Sequence, residues 1–314
     1  MGSAHRWGVA DLLRSIGISV AAGGPMSVTY GGQAVIEGVL MRSTSAYSIA
    51  ARKPNGTIAV IRHELVSKAS HHWLWKRPVF RGMATLGEML LLGQRALAWS
   101  ASVQLGEDVT IPPAAMGLTI AGSAVFAIGL FVVLPVVLAS RTGVHASLEA
   151  ALLEGCVRVL FLLGYLIAVS YIRGVRRVFE YHGAEHKAIN GFESGADLSV
   201  ENVVKASRLH PRCGTGFIVV VAVVTIILFA PLTFLAWWVR LGIEILLLPI
   251  VAGIAYEVIR GIARHRTSRL GRIALGPILG AQLLTTREPS PDQVEVAIAA
   301  LDAVLPTETE RLIP

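Results

Sequence analysis

The sequence predicts a mainly α fold: a polytopic helical membrane bundle of about four spans, with a small cytosolic α+β part that contains a β-hairpin. Three observations predict it. Residues 111–140 and 213–239 form runs of 30 and 27 residues without a charged side chain. Only 16% of the chain is charged, against about 25% in ordinary soluble domains. A Pro54-Asn55-Gly56 turn signal separates two β-rich stretches.

In chain order, residues 1–26 read as a mobile tail with a short helix. They do not read as a cleaved signal, because Asp11 and Arg14 interrupt the apolar stretch. Residues 27–110 read as a cytosolic β unit followed by an amphipathic helix. In the β unit, residues 48–61 pair as a hairpin turning at Asn55-Gly56, with the positive φ that a type I′ turn requires. The helix, over residues 81–103, carries Leu86, Met89, Leu90, Leu97 and Trp99 at mostly helical spacing and lies on the membrane or against the bundle.

Residues 111–259 hold the four spans. About 20 apolar residues cross the hydrocarbon, so residues 111–140 suffice, with Pro135 as a kink. Residues 150–172 are apolar except for Glu154 and Arg158, an i,i+4 pair near the helix entrance that lowers the insertion cost. Residues 213–239 end on Trp237-Trp238, placed as an interfacial belt. Residues 241–256 are a short span or half of a tight helical hairpin. Residues 260–314 form a cytosolic or interfacial segment. Within it residues 273–286 are too short to cross and are interrupted by Gly276, Pro277 and Gly280, which suggests an interfacial or re-entrant piece. A helix then starts at Ser290-Pro291, with Gln293 completing a capping box.

Charge fixes an expected orientation. The chain carries +7, and 25 of its 28 Lys and Arg lie in residues 1–110, 173–212 and 260–314. Cationic loops stay inside, so both termini and the 173–212 loop are expected in the cytoplasm, with Arg141 and Arg240 in the opposite loops. The expected partners are the lipid bilayer and a cytosolic or membrane protein; the charge distribution does not indicate a specific nucleic acid. Cys156 and Cys213 are too few for a disulfide framework.

The chemistry-bearing motif is Tyr181-His182-Gly183-Ala184-Glu185-His186-Lys187, an H-x-x-E-H pattern. On a helix His182 and His186 stack one turn apart, the spacing for two imidazoles on one zinc ion, with Glu185 as general base toward water. A third donor is required. His210 and Cys213, three residues apart just before a span, are the first candidates; Glu193 and Glu257 are others. The plain alternatives stand beside this. The histidines can be structural, Glu185 can pair with Lys187, His210 and Cys213 can close an ordinary helix-entry turn, and Gly183 costs about 1 kcal/mol of helix propensity. A second cluster, residues 30–42, has glycines suited to a turn into a strand or short helix, with Glu37 and Arg42 as polar members.

YGGQAVIEGVLMR, EYHGAEHK, HPRCGT and LTTREP, in that order, resemble the YqhQ-like family of bacterial multi-pass membrane proteins, over nearly the whole chain. The resemblance implies a bacterial plasma (inner) membrane location and a metal-dependent enzyme. The leading expectation is therefore a zinc-type, hydrolytic membrane enzyme with His182, His186, His210 and Cys213 as metal ligands and Glu185 as catalytic base. The rival is a non-enzymatic assembly factor, chaperone or scaffold whose basic cytosolic face meets a partner such as the ribosome or translocon. A channel or transporter is disfavoured, because the two long spans lack midplane ionisable residues.

Overall fold

A computed structural model describes residues 30–65, 73–106, 112–143, 148–265 and 268–305. The N-terminal tail lies outside the described residues. Four strands come first, β1 (Gly31–Val35), β2 (Gly38–Arg42), β3 (Ala46–Arg52) and β4 (Ile58–Glu64). The helices follow in chain order: α1 (Phe80–Leu105), α2 (Pro113–Ile128), α3 (Leu134–Ser140), α4 (Leu148–Ser170), α5 (Arg173–Glu193), α6 (Val200–Val204), α7 (Gly216–Phe229), α8 (Trp237–Arg264), α9 (Arg269–Thr285) and α10 (Pro291–Val304). They sort into two compact units. One gathers the described residues of 30–65, 176–213 and 262–305; the other gathers those of 73–175 and 214–261.

The first unit is built on an antiparallel sheet in the order β1-β2-β3-β4. Cross-strand partners share a face, so Gly32, Met41 and Ser48 line up, as do Ala34, Val39 and Ala50. On that face the small residues of β3 admit α10, and the Ser48 hydroxyl donates to the Ala300 carbonyl. Tyr181, Ala184 and Ala188 of α5 join Val294, Ala297 and Leu301 of α10 in the same core. The α10 helix starts as its sequence predicts: Pro291 occupies the first turn, and the Gln293 side chain accepts from the Ser290 backbone N–H at 2.9 Å.

The 48–61 hairpin is present, with a different turn. Five residues separate Arg52 from its partner Ile58. Gly56 N–H donates to Lys53 O at 2.9 Å, and Gly56, at φ +89°, is the position of positive φ in this turn. Pro54 fixes φ near −65°, which suits the second position of a type I turn, and a glycine in the left-handed region then completes the loop. Asn55 contributes through its side chain, accepting from the Thr57 N–H at 3.1 Å.

In the second unit four helical stretches are long and apolar enough to cross a membrane: Ala114–Ser140, Glu149–Ser170, Gly216–Phe234 and Trp237–Arg264. A π-helical turn, Gly129–Val133, joins α2 to α3 just ahead of Pro135, where the proline removes a backbone donor. Two boundaries differ from expectation. Trp237-Trp238 open α8 and do not end the preceding span, because the chain passes through a 3-10 turn at Ala230–Phe234 and an extended Leu235 first. The stretch expected as a short span or half hairpin is the 28-residue α8, with Pro249 inside it. Likewise α9 runs unbroken through Gly276, Pro277 and Gly280, since Leu275, Ile278, Leu279 and Gln282 are buried along one side. Packing there overrides propensity.

Four charges are buried among the spans. Arg158 Nη2 lies 2.8 Å from Glu154 and 2.9 Å from Glu244, and Arg240 Nε lies 2.8 Å from Glu244. Arg240 also pairs with Glu154, closing a neutral ring between α4 and α8. Arg240 is therefore a buried member of a span and not a loop residue. The α1 helix packs on this bundle: a Cβ on Gly82 would lie 2.7 Å from Gly253 O, and one on Gly253 would lie 2.4 Å from Val79 O.

Candidate metal centre

The α5 helix places His182 and His186 on one face, their ring centroids 4.5 Å apart. Each ring is oriented by a backbone carbonyl. His182 Nδ1 lies 2.8 Å from Thr285 O, and His186 Nδ1 lies 2.6 Å from Arg208 O. A carbonyl only accepts, so both Nδ1 atoms carry the proton and both Nε2 atoms present lone pairs. His182 Nε2 meets Cys213 Sγ at 3.1 Å, a thiol-to-imidazole hydrogen bond. His186 Nε2 is buried with no hydrogen-bond partner. The ligand atoms of His182, His186 and Cys213 all lie within 4.8 Å of one another.

The two segments that supply those contacts are clamped to α5. Lys187 Nζ donates to Val204 O and Ala206 O at 2.6 and 2.9 Å, and Asn190 Nδ2 donates to Ser207 O and Leu209 O at 2.7 and 3.0 Å. Gln282 then holds both backbone groups of His210, at 2.9 and 2.8 Å. This ladder delivers Cys213 to the imidazoles. The second segment, residues 285–289, lies on α5 because Gly183 has no side chain: a Cβ there would stand 2.1 Å from Arg287 O. Arg287 N–H donates to Phe179 O at 2.9 Å, and Lys187 pairs with Glu288 at 2.6 Å. The glycine that lowers the helix propensity of the motif is the one that lets Thr285 reach His182.

The other candidates fall elsewhere. His210 is buried beside the trio, its ring centroid 5.8 Å from that of His186, but its nitrogens are not part of the convergent set. Its Nε2 faces Glu193 at 3.7 Å, and Glu193 is held by Arg212. Glu257 belongs to the other unit and pairs with Arg81 at 2.6 Å. Glu37 pairs with Arg177 and accepts from Tyr181. Glu185 is 4% exposed and does not pair with Lys187. Its carboxyl lies over Gly32 of β1, where a Cβ would come within 3.0 Å of it, and its Oε2 is buried without a partner.

Burial sets the electrostatics. It lowers the pKa of His182, against the Thr285 hydrogen bond that raises it. It holds His186 well below its ordinary value, reinforced by His182 and His210. Both imidazoles are thus neutral, the state in which they ligate metals. Burial pushes Glu185 up to about 8, against the hydrogen bond from Gly32. Two imidazoles and a thiol form a donor set suited to zinc and unsuited to magnesium. Imidazoles whose far N–H is anchored on a carbonyl are characteristic of metal ligation. The orphaned His186 Nε2 is the atom such an ion would satisfy. The signal for Cys213 was its position three residues after His210; nothing in the sequence marked Thr285 and Arg208 as the groups that orient the rings.

Comparison with known proteins gives a family but no activity. Residues 77–307 match the family described as protein of unknown function (DUF1385). The uncharacterized protein YqhQ of Bacillus subtilis (strain 168) is 34% identical over 295 residues, spanning 89% of this chain and 93% of that one. No solved structure matches. On both counts the chain belongs to the DUF1385, YqhQ-like family.

Proposed function

We propose that this protein is a metal-dependent membrane enzyme, most simply a hydrolase, whose divalent ion, zinc first, is held by His182, His186 and Cys213 at the cytosolic membrane surface. The observation that carries the reading is the convergence of two carbonyl-anchored imidazoles on one thiol. Three protein donors leave the open position that catalytic zinc sites keep. The ion would supply Lewis acidity toward a carbonyl or phosphoryl oxygen. Within the chain, Thr285 O and Arg208 O keep both imidazoles in the ligating tautomer. Glu185, with one oxygen unpartnered and its pKa pushed by burial up to about 8, is the group proposed to hold the proton to be exchanged.

The test uses full-length protein in lipid nanodiscs, zinc-loaded and offered ester, amide and phosphoester probes. Turnover should disappear on chelation. Glu185→Gln should keep its metal and lose at least about a hundredfold in rate. Turnover that survives chelation, or a fully active Glu185→Gln variant, would sink the hydrolase reading. A second reading has its own support in the burial of His186, which is 1% exposed. It makes the ion a structural staple in a non-enzymatic assembly factor, and stoichiometric metal without turnover on any probe would favour it.

The proposed orientation puts both termini and the 173–212 segment in the cytoplasm of a bacterial inner membrane. Two arguments support it. One is the 25 of 28 cationic residues in those segments. The other is parity: residues 30–65, 176–213 and 262–305 fold into one unit, so an even number of crossings must separate them, and the four candidate spans fall two and two. A cysteine placed at Gly195 should react with a membrane-impermeant maleimide only after the cells are opened. Labelling of intact spheroplasts at that site would reverse the topology.

A further inference from the structure

We infer that the α1–α8 junction binds an anionic phospholipid, one acyl chain lying in an apolar cavity between the helices and the headgroup on Lys76 and Arg77. This stands apart from the metal centre. The cavity measures about 290 Å³ and is lined by Trp75, Met83, Ala84, Leu86, Pro249 and Ala252. Its origin is local. Gly82 and Gly253 draw the two helices into backbone contact. Beside that contact Ala84, Ala252 and Pro249 line the cavity, side chains too short to fill the space that the longer Met83 and Leu86 wall off.

Its depth fits an acyl chain. The Arg81–Glu257 ion pair, at 2.6 Å, marks where polar side chains resume on α8. Ala252 and Pro249 lie five and eight residues before Glu257, so about 7.5 and 12 Å toward the apolar middle of the helix at 1.5 Å per residue. Headgroup chemistry is supplied by the residues that follow Trp75. Trp75 lines the cavity, and Lys76 and Arg77 follow it directly, both exposed. Arg77 lies over the Trp73 ring at 5.9 Å, and Trp73 is 63% exposed, the tryptophan–cation pairing found at membrane interfaces. An apolar slot whose lining tryptophan is followed directly by two exposed cations is complementary to an anionic lipid and selects against a zwitterionic one.

Native mass spectrometry of the full-length protein, delipidated in detergent and titrated with phosphatidylglycerol or phosphatidylcholine, tests this. One phosphatidylglycerol should be retained per chain, more tightly than phosphatidylcholine. Lys76→Gln with Arg77→Gln should cut that preference about thirtyfold, roughly fivefold for each cation. Ala252→Leu, filling the slot, should abolish retention of both lipids. If Ala252→Leu fails to fold, the doubly neutralised variant, altered only at exposed positions, decides alone. Equal retention of the two lipids by the wild type, an unchanged preference in the neutralised variant, or a dimer in place of a lipid adduct would each overturn the inference.

Discussion

His182→Ala or His186→Ala is expected to reduce bound zinc from about one ion per chain to near zero, with Cys213→Ser close behind. The reasoning is geometric. Three protein donors converge, and removing one leaves two, which cannot complete a tetrahedral shell except with solvent. Because both imidazoles are pre-oriented through their Nδ1–H groups, the site has little freedom to recruit a substitute. His210→Ala is the internal control. That ring lies next to His186 but outside the convergent set, so the variant should retain metal. Elemental analysis of protein purified without chelators measures all four. Wild-type zinc in either α5 histidine variant would remove the basis of the assignment.

Glu244→Ala is expected to be the most destabilising single change among the spans, by about 3–5 kcal/mol. Glu244 is fully buried and is shared by Arg158 and Arg240. Its loss leaves two guanidiniums facing one carboxylate in an apolar setting, and the uncompensated charge dominates the cost. Taking Arg240 out as well should recover much of the loss. The remaining Glu154–Arg158 pair, at 2.8 Å, is neutral and complete by itself. Denaturant unfolding in detergent micelles should rank Arg240→Met/Glu244→Leu above Glu244→Ala. A single variant no less stable than the double would mean that the ring contributes nothing to the bundle.

The spans were legible because crossing a membrane requires uncharged length, which counting detects. The H-x-x-E-H stacking was legible because helical spacing alone puts His182 over His186. What depended on distant partners was not. Glu154 and Arg158 read as a self-contained pair, yet the same four-residue spacing recurs, in reverse order, at Arg240 and Glu244, and only the packing of α4 on α8 joins them. Gly183 read as a weakness in a helix, because the carbonyl it admits arrives from a residue 104 positions later. Glu185 read as the base beside the paired imidazoles; its burial over Gly32, which raises its pKa, required knowing that β1 lies against α5. The Asn55-Gly56 turn was placed correctly but typed wrongly, since Pro54 imposes its own φ on the loop.

The central claim is that His182, His186 and Cys213 together hold a divalent metal. Zinc-edge X-ray absorption on the purified full-length protein tests it most directly. The predicted first shell has one sulfur at about 2.3 Å and two imidazole nitrogens at about 2.0–2.1 Å, with the sulfur component lost in Cys213→Ser. A shell of oxygen and nitrogen alone in the wild type, or protein that takes up no zinc when it is supplied, would contradict it.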